Sequence, residues 1–209
     1  MPKFRILGLI LSLFGGSALA APTKILVFGD SLVSGYGVRD HESFPVVLGQ
    51  RLAADGYNVI VANAGVPGNT TAMGLARATQ AAAGKPDLVI LELGINDLLN
   101  DASLHTTRSN LVRLIRRFQA AGARIILAGM IADDRRGAAY RQGFDALYPA
   151  LAAKYALPFY PYFLEGVAND PALTQEGGLH PNAAGVRAIV ARFAPLVEQT
   201  LDGMGAKAR

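Results

Sequence analysis

Cysteine is absent from the 209-residue chain, and that absence removes the thiol nucleophile, the CxxC redox pair, cysteine-ligated zinc and the iron–sulfur cluster. Histidine is nearly as scarce. With only His41, His105 and His180, and no HExxH run, a histidine-rich metal centre has too few ligands. Nucleotide-binding signatures are missing too: GxGxxG does not occur, and the Gly84-Lys85 pair has Thr79 where the first glycine of a phosphate loop belongs. No metal and no cofactor is expected. Charge of one sign is in small excess, +4, of which Lys3 and Arg5 supply half. The basic cluster Arg113, Arg116 and Arg117 has helical spacing and reads as a solvated helix face, so nucleic acid is not an expected partner.

A membrane-spanning run is also lacking. The apolar stretch Ile6 to Phe14, behind Lys3 and Arg5, is far shorter than the roughly 20 residues a bilayer span needs. It leads to Ser17-Ala18-Leu19-Ala20, a small-x-small cleavage pattern. Residues 1–20 therefore read as a signal peptide cut after Ala20, with 21–209 as one exported domain, periplasmic or secreted, holding no stable membrane anchor after cleavage. At 51% hydrophobic and 17% charged, such a domain should bury roughly 70% of its extended surface without disulfides or a structural metal, and a monomer is expected.

What is present is an alternation of two periods. Lys24–Phe28 (KILVF), Asn58–Ala62, Leu88–Leu93 (LVILEL) and Arg124–Met130 are short apolar runs of strand type, with Pro158–Tyr162 a weaker fifth. Between them lie helical segments at Phe44–Ala54, Thr71–Ala83, Arg108–Ala121 and Tyr140–Tyr155, and a last one at Asn182–Leu201, several of them closed by Gly or Pro. Strands without alternation are buried on both faces, which predicts a parallel sheet between two helical layers. Its chemistry then belongs past the carboxyl ends of the strands. The longest irregular piece, Phe163–Leu179, reads as a functional loop.

Four strand-end or loop positions carry groups suited to chemistry. Ser31, in Gly29-Asp30-Ser31-Leu32, stands where a strand turns into a helix; it suits a nucleophile lying over helix amides, and equally a capping serine. Gly68, in the loop after the second strand, either makes a turn or offers its backbone N–H to a ligand without a side chain in the way. Asn96, after the third strand, either donates into the same space or makes a turn. His180 lies in Gly178-Leu179-His180-Pro181-Asn182 before the last helix, whereas His41 and His105 read as surface residues.

Taken in order and spacing, Gly29-Asp30-Ser31-Leu32, Gly68, Gly94-x-Asn96-Asp97 and His180-Pro181-Asn182 resemble the four blocks of the SGNH (GDSL) hydrolases. Tyr140–Tyr155 and Leu157–Phe163 further resemble the periplasmic thioesterase, arylesterase and lysophospholipase branch. The resemblance implies a flavodoxin-like three-layer αβα fold of about five parallel strands. It also implies Ser31 as nucleophile, His180 as general acid/base, and an oxyanion hole of the Ser31 N–H, the Gly68 N–H and the Asn96 side chain. One position departs from the pattern: the family's Asp three residues before the His is Gly177 here. Glu176 could reach the imidazole instead, a backbone carbonyl could orient it, or a more distant acid such as Asp170 could serve; Glu176 is the nearest carboxylate in sequence. Ile95, where the family often has a small residue, should narrow the pocket beside Asn96. The function implied is hydrolysis of esters or thioesters of short to medium acyl chains through an acyl-serine, with a small-molecule substrate. An envelope carbohydrate O-acetylesterase and a non-catalytic acyl-binding protein are the alternatives.

Overall fold

The computed structural model describes residues 21–207; the segment read as a signal peptide lies outside the described residues. The apolar runs form β1 (Thr23–Gly29), β2 (Val59–Gly65), β3 (Leu88–Glu92), β4 (Arg124–Ala128) and β5 (Phe159–Tyr160). They hydrogen-bond in the order β2-β1-β3-β4-β5, every pairing parallel. Central β3 is buried at all five positions, which is why its sequence shows no alternation. Edge strand β2 leaves Ile60 exposed.

Parallel neighbours need crossovers, and here helices supply them: α1 (Ser31–Ser34), α2 (Phe44–Ala54), α3 (Thr71–Ala83), α4 (Ile95–Leu99), α5 (Leu104–Ala120), α6 (Ala138–Tyr155) and α7 (Ala183–Asp202). Right-handed crossovers in this strand order put α2 and α7 on one face and α3, α5 and α6 on the other. The packing agrees, with α2 against α7, α3 against α5, and α5 against α6. Phe44, Phe163 and Phe193 meet edge to face in one layer, and Phe28 meets Phe118 at 5.1 Å in the other. The result is the flavodoxin-like αβα sandwich of five parallel strands that the sequence implies.

Chain direction reverses across the sheet between β1 and β3, because β1 leads outward to β2 and the chain then returns to β3 on the opposite side. A crevice opens at such a switch point, outside the carboxyl ends of the two strands. The close approach there depends on Gly29. A Cβ at this position would strike the Val33 side chain and lie 2.6 Å from Glu92 Oε2. The Phe163–Leu179 connection has no helix or strand of its own, yet Phe163, Leu164 and Val167 are fully buried and anchor it to the core.

Candidate active site

Ser31 is the first residue of α1, placed where β1 ends. The Asp30 side chain caps this short helix, accepting from Leu32 N at 3.0 Å. His180 arrives from the far side of the crevice, and its Nε2 lies 3.0 Å from Ser31 Oγ although the two are 149 residues apart. The histidine is set by its neighbours. Gln175 N donates to His180 O at 2.8 Å, and Gln175 Nε2 bridges Tyr36 O (2.8 Å) and Pro181 O (2.9 Å). Tyr36 also lies against the imidazole, ring centroids 4.8 Å apart. Asn182 caps α7 through Ala184 N and Gly185 N while its Nδ2 donates back to Ala172 O and Thr174 O.

Gly68 and Asn96 complete the crevice. Gly68 has φ 76°, a left-handed conformation that glycine adopts without strain, and it is exposed. Neither the Ser31 N–H nor the Gly68 N–H has a hydrogen-bond partner among the described residues. Asn96 Nδ2 donates to Asp30 Oδ2 at 2.9 Å and to Asn69 O at 3.2 Å. Gly94 precedes it at φ 132°, where a Cβ would collide with the Tyr148 hydroxyl. Asp97 ties the neighbouring helices: it accepts from Thr71 N at 2.7 Å, from Thr71 Oγ1, and from Thr107 Oγ1 at 3.1 Å.

The candidate acids stand elsewhere. Glu176 is exposed and makes no hydrogen bond or ion pair among the described residues. Asp170 spends its carboxylate on Ala172 N at 2.9 Å. Burial draws the His180 imidazole below its ordinary value, and no carboxylate acts in the other direction. His41 and His105 are exposed, as are Arg113, Arg116 and Arg117.

Beneath the crevice lie groups that motif reading did not single out. Glu92, inside the apolar run LVILEL, is wholly buried; its Oε2 accepts from Asp30 N at 3.3 Å and its Oε1 has no partner. Burial pushes the Asp30 carboxyl up to about 6, against the pull of Leu32 N and the Asn96 amide. Burial, with the charge of Asp30 added, raises Glu92 well above the carboxylate range. Two adjacent buried carboxyls do not both ionise, so Glu92 holds the proton. A lone acidic residue in a fully apolar strand was the available signal. Arg77 of α3 also reaches under the crevice, and an arginine in an alanine-rich helix carries no comparable signal. Among the described residues no three His, Asp or Glu side chains gather as a metal site.

Residues 27–188 match the model of the GDSL-like lipase/acylhydrolase family. The chain belongs to that family. It is 36% identical over 178 residues to the arylesterase of Vibrio mimicus, covering 85% of this chain and 89% of that one. It is 33% identical over 164 residues to thioesterase 1/protease 1/lysophospholipase L1 of Escherichia coli strain K12, covering 78% and 77%. Among solved structures, AlinE4, an SGNH-hydrolase family esterase, is 41% identical with a TM-score of 0.73, covering 88% of this chain and 99% of that one. Family and relatives together make this GDSL-like hydrolase an esterase.

A groove of about 170 Å³ adjoins the site through Ile95, next to Asn96, and Leu179, next to His180; Ser31 itself does not line it. Its lining is mixed: Ile95, Leu98, Met130, Ile131 and Leu179 offer apolar surface, and Asp133, Arg135 and Asn169 make part of it polar. Ile95 forms part of that wall next to Asn96, as its bulk implies.

Proposed function

We propose that the protein is an exported serine hydrolase that cleaves esters or thioesters of short to medium acyl chains through an acyl-Ser31 intermediate. The observation carrying this reading is the 3.0 Å approach of His180 Nε2 to Ser31 Oγ, beside two backbone N–H groups with no protein partner. His180, kept neutral by burial, takes the Ser31 proton as Oγ attacks the acyl carbon. The carbonyl oxygen becomes an oxyanion facing the Ser31 N–H, the Gly68 N–H and the Asn96 amide. Asn96 receives it by yielding its longer bond, that to Asn69 O. Preorganised donors of this kind are worth roughly 3 kcal/mol each. The imidazolium then protonates the leaving alkoxide or thiolate, and water repeats the sequence to free the acid and restore Ser31.

Ester and thioester substrates both fit the names of the relatives, and the apolar part of the neighbouring groove, Ile95, Leu98, Met130 and Ile131, can take a short acyl chain. Export rests on the N-terminal pattern of Lys3, Arg5, Ile6–Phe14 and Ser17–Ala20. No helix among the described residues is long and apolar enough to cross a membrane. With Glu176 turned to solvent, Ser31 and His180 work as a dyad. Ser31→Ala should abolish turnover of a p-nitrophenyl ester while the protein stays folded, and an organophosphonate should label Ser31 in the native enzyme. Labelling at Ser34 or Ser43 instead would sink the assignment.

A further inference from the structure

Three donors from three different strand ends must be held at one spacing for an oxyanion, yet the β1–β2 ladder ends with Val66 N donating to Gly29 O, and β1 and β3 pair no further than Phe28 and Leu91. One side chain touches two of them and reaches the third through a single further hydrogen bond. Arg77 NH2 donates to Gly29 O at 2.8 Å, its NH1 to Ala64 O at 2.9 Å, and its Nε to Asn69 Oδ1 at 2.7 Å. Gly29 lies two residues before Ser31, and Asn69 directly follows Gly68. Asn69 also accepts, through its backbone oxygen, from the Asn96 amide. Each donor is thus within two residues, or one hydrogen bond, of an Arg77 contact. The guanidinium carbon lies over Phe28, 3.9 Å from the ring centroid, and its charge faces Asp30.

We propose that Arg77 is the positioning residue of the oxyanion site, its rigid fork setting the mutual spacing of the Ser31, Gly68 and Asn96 donors. The proposal rests on the serine-hydrolase reading above. A planar fork with five fixed donors satisfies three acceptors at once, which a lysine ammonium on a flexible stem does not. Through Asn69 O the fork presets Asn96 in the free enzyme; once the amide turns to the oxyanion, Arg77 still holds Gly29 and Asn69, and with them the Ser31 and Gly68 donors that meet the developing charge.

Arg77→Met and Arg77→Lys test this. Arg77→Met should lower kcat by about 100-fold, the scale of one lost oxyanion donor, with KM within about threefold. A boronic acid that forms a tetrahedral adduct on Ser31 should lose affinity in parallel. Ethylguanidinium should restore part of the activity of Arg77→Ala, which mere repair of packing over Phe28 would not achieve. A folded Arg77→Met enzyme with kcat within threefold of the native value overturns the proposal. Should that variant fail to fold, Asn69→Ala removes the Nε acceptor and leaves the ring contact. It should cost about tenfold in kcat and be non-additive with Arg77→Lys; full additivity overturns the proposal. Activity surviving in Ser31→Ala would refute the hydrolase reading itself, whatever Arg77 does.

Discussion

His180 lies against Ser31, and among the described residues no carboxylate is hydrogen-bonded to its ring. A carboxylate on the imidazole stabilises the imidazolium and raises its pKa; desolvation alone, as here, lowers it. In the proposed mechanism neutral His180 is the base, so the acid limb of kcat/KM should fall below the ordinary imidazole value near 6.5. Glu176→Gln should then cost less than about tenfold in kcat, because the exposed side chain does not touch the ring. A loss near 10⁴, the scale of the serine-protease acid in its well-known example, would show that Glu176 swings in during turnover. Gly177→Asp has open space for its Cβ but a backbone at φ 92°, so it should lower stability while shifting the acid limb upward. At Asn96, removal of the amide should act on the transition state. Asn96→Ala is expected to lower kcat by about 100- to 1,000-fold with little change in KM; a large rise in KM with kcat unchanged would assign Asn96 to ground-state binding.

Among the elements, α2 and α3 were legible to the residue, since Pro45 near the start of one and the Gly84-Lys85-Pro86 stop after the other are local signals. β2 runs to Gly65, past the expected Ala62, because Asn63 and Ala64 pair with Val27 and Phe28 of β1, a tertiary contact that no local pattern encodes. α5 starts at Leu104 instead of Arg108, since Ser103 Oγ caps it through Thr106 N. Helices α1 and α4, four and five residues long, are too short to display a period, so the elements that carry Ser31 and Asn96 escaped a reading that found both residues. The site motifs were legible for a related reason: each follows a strand end, where apolar pattern gives way to glycine and polar residues. Asn182 joins element to site. Asn182→Ala should cost about 1 kcal/mol through the lost cap on α7 and also lower kcat by loosening the His180 loop. Asn182→Ser, which keeps a capping oxygen but lacks the two donors to Ala172 O and Thr174 O, should recover the stability and leave kcat low. Recovery of both would show that the cap alone matters.

For the molecule as a whole, the price of placing chemistry at a buried switch point is a pair of carboxyls in the core. Burial raises Asp30 to about 6 in the folded protein and holds Glu92 well above the ordinary carboxylate range, while in the unfolded chain both release their protons near pH 4. Between those values the folded state binds more protons than the unfolded state, so folding stability falls as pH rises. The contribution is fully present below about pH 4, declines through 6, and declines further as Glu92 is forced to ionise beside Asp30. Each proton so linked accounts for at most about 1.4 kcal/mol per pH unit. The groups facing the pair do not cancel the trend: Arg77 keeps its charge and favours ionised Asp30, whereas Asp97 opposes ionisation of Asp30 and both carboxyls hold the Tyr148 phenol protonated. His180 contributes with the opposite sign near its own pKa, but equally in the native protein and in a Glu92 variant. Glu92→Gln retains an oxygen to accept from Asp30 N and gains a permanent donor toward the Asp30 carboxylate, so it imitates the protonated acid. Urea midpoints of the two proteins from pH 5 to 9 should therefore diverge, the native protein losing stability toward alkaline pH and Glu92→Gln much less. Parallel curves would mean that Glu92 is already ionised at neutral pH, and that the core under Ser31 holds two negative charges balanced by Arg77.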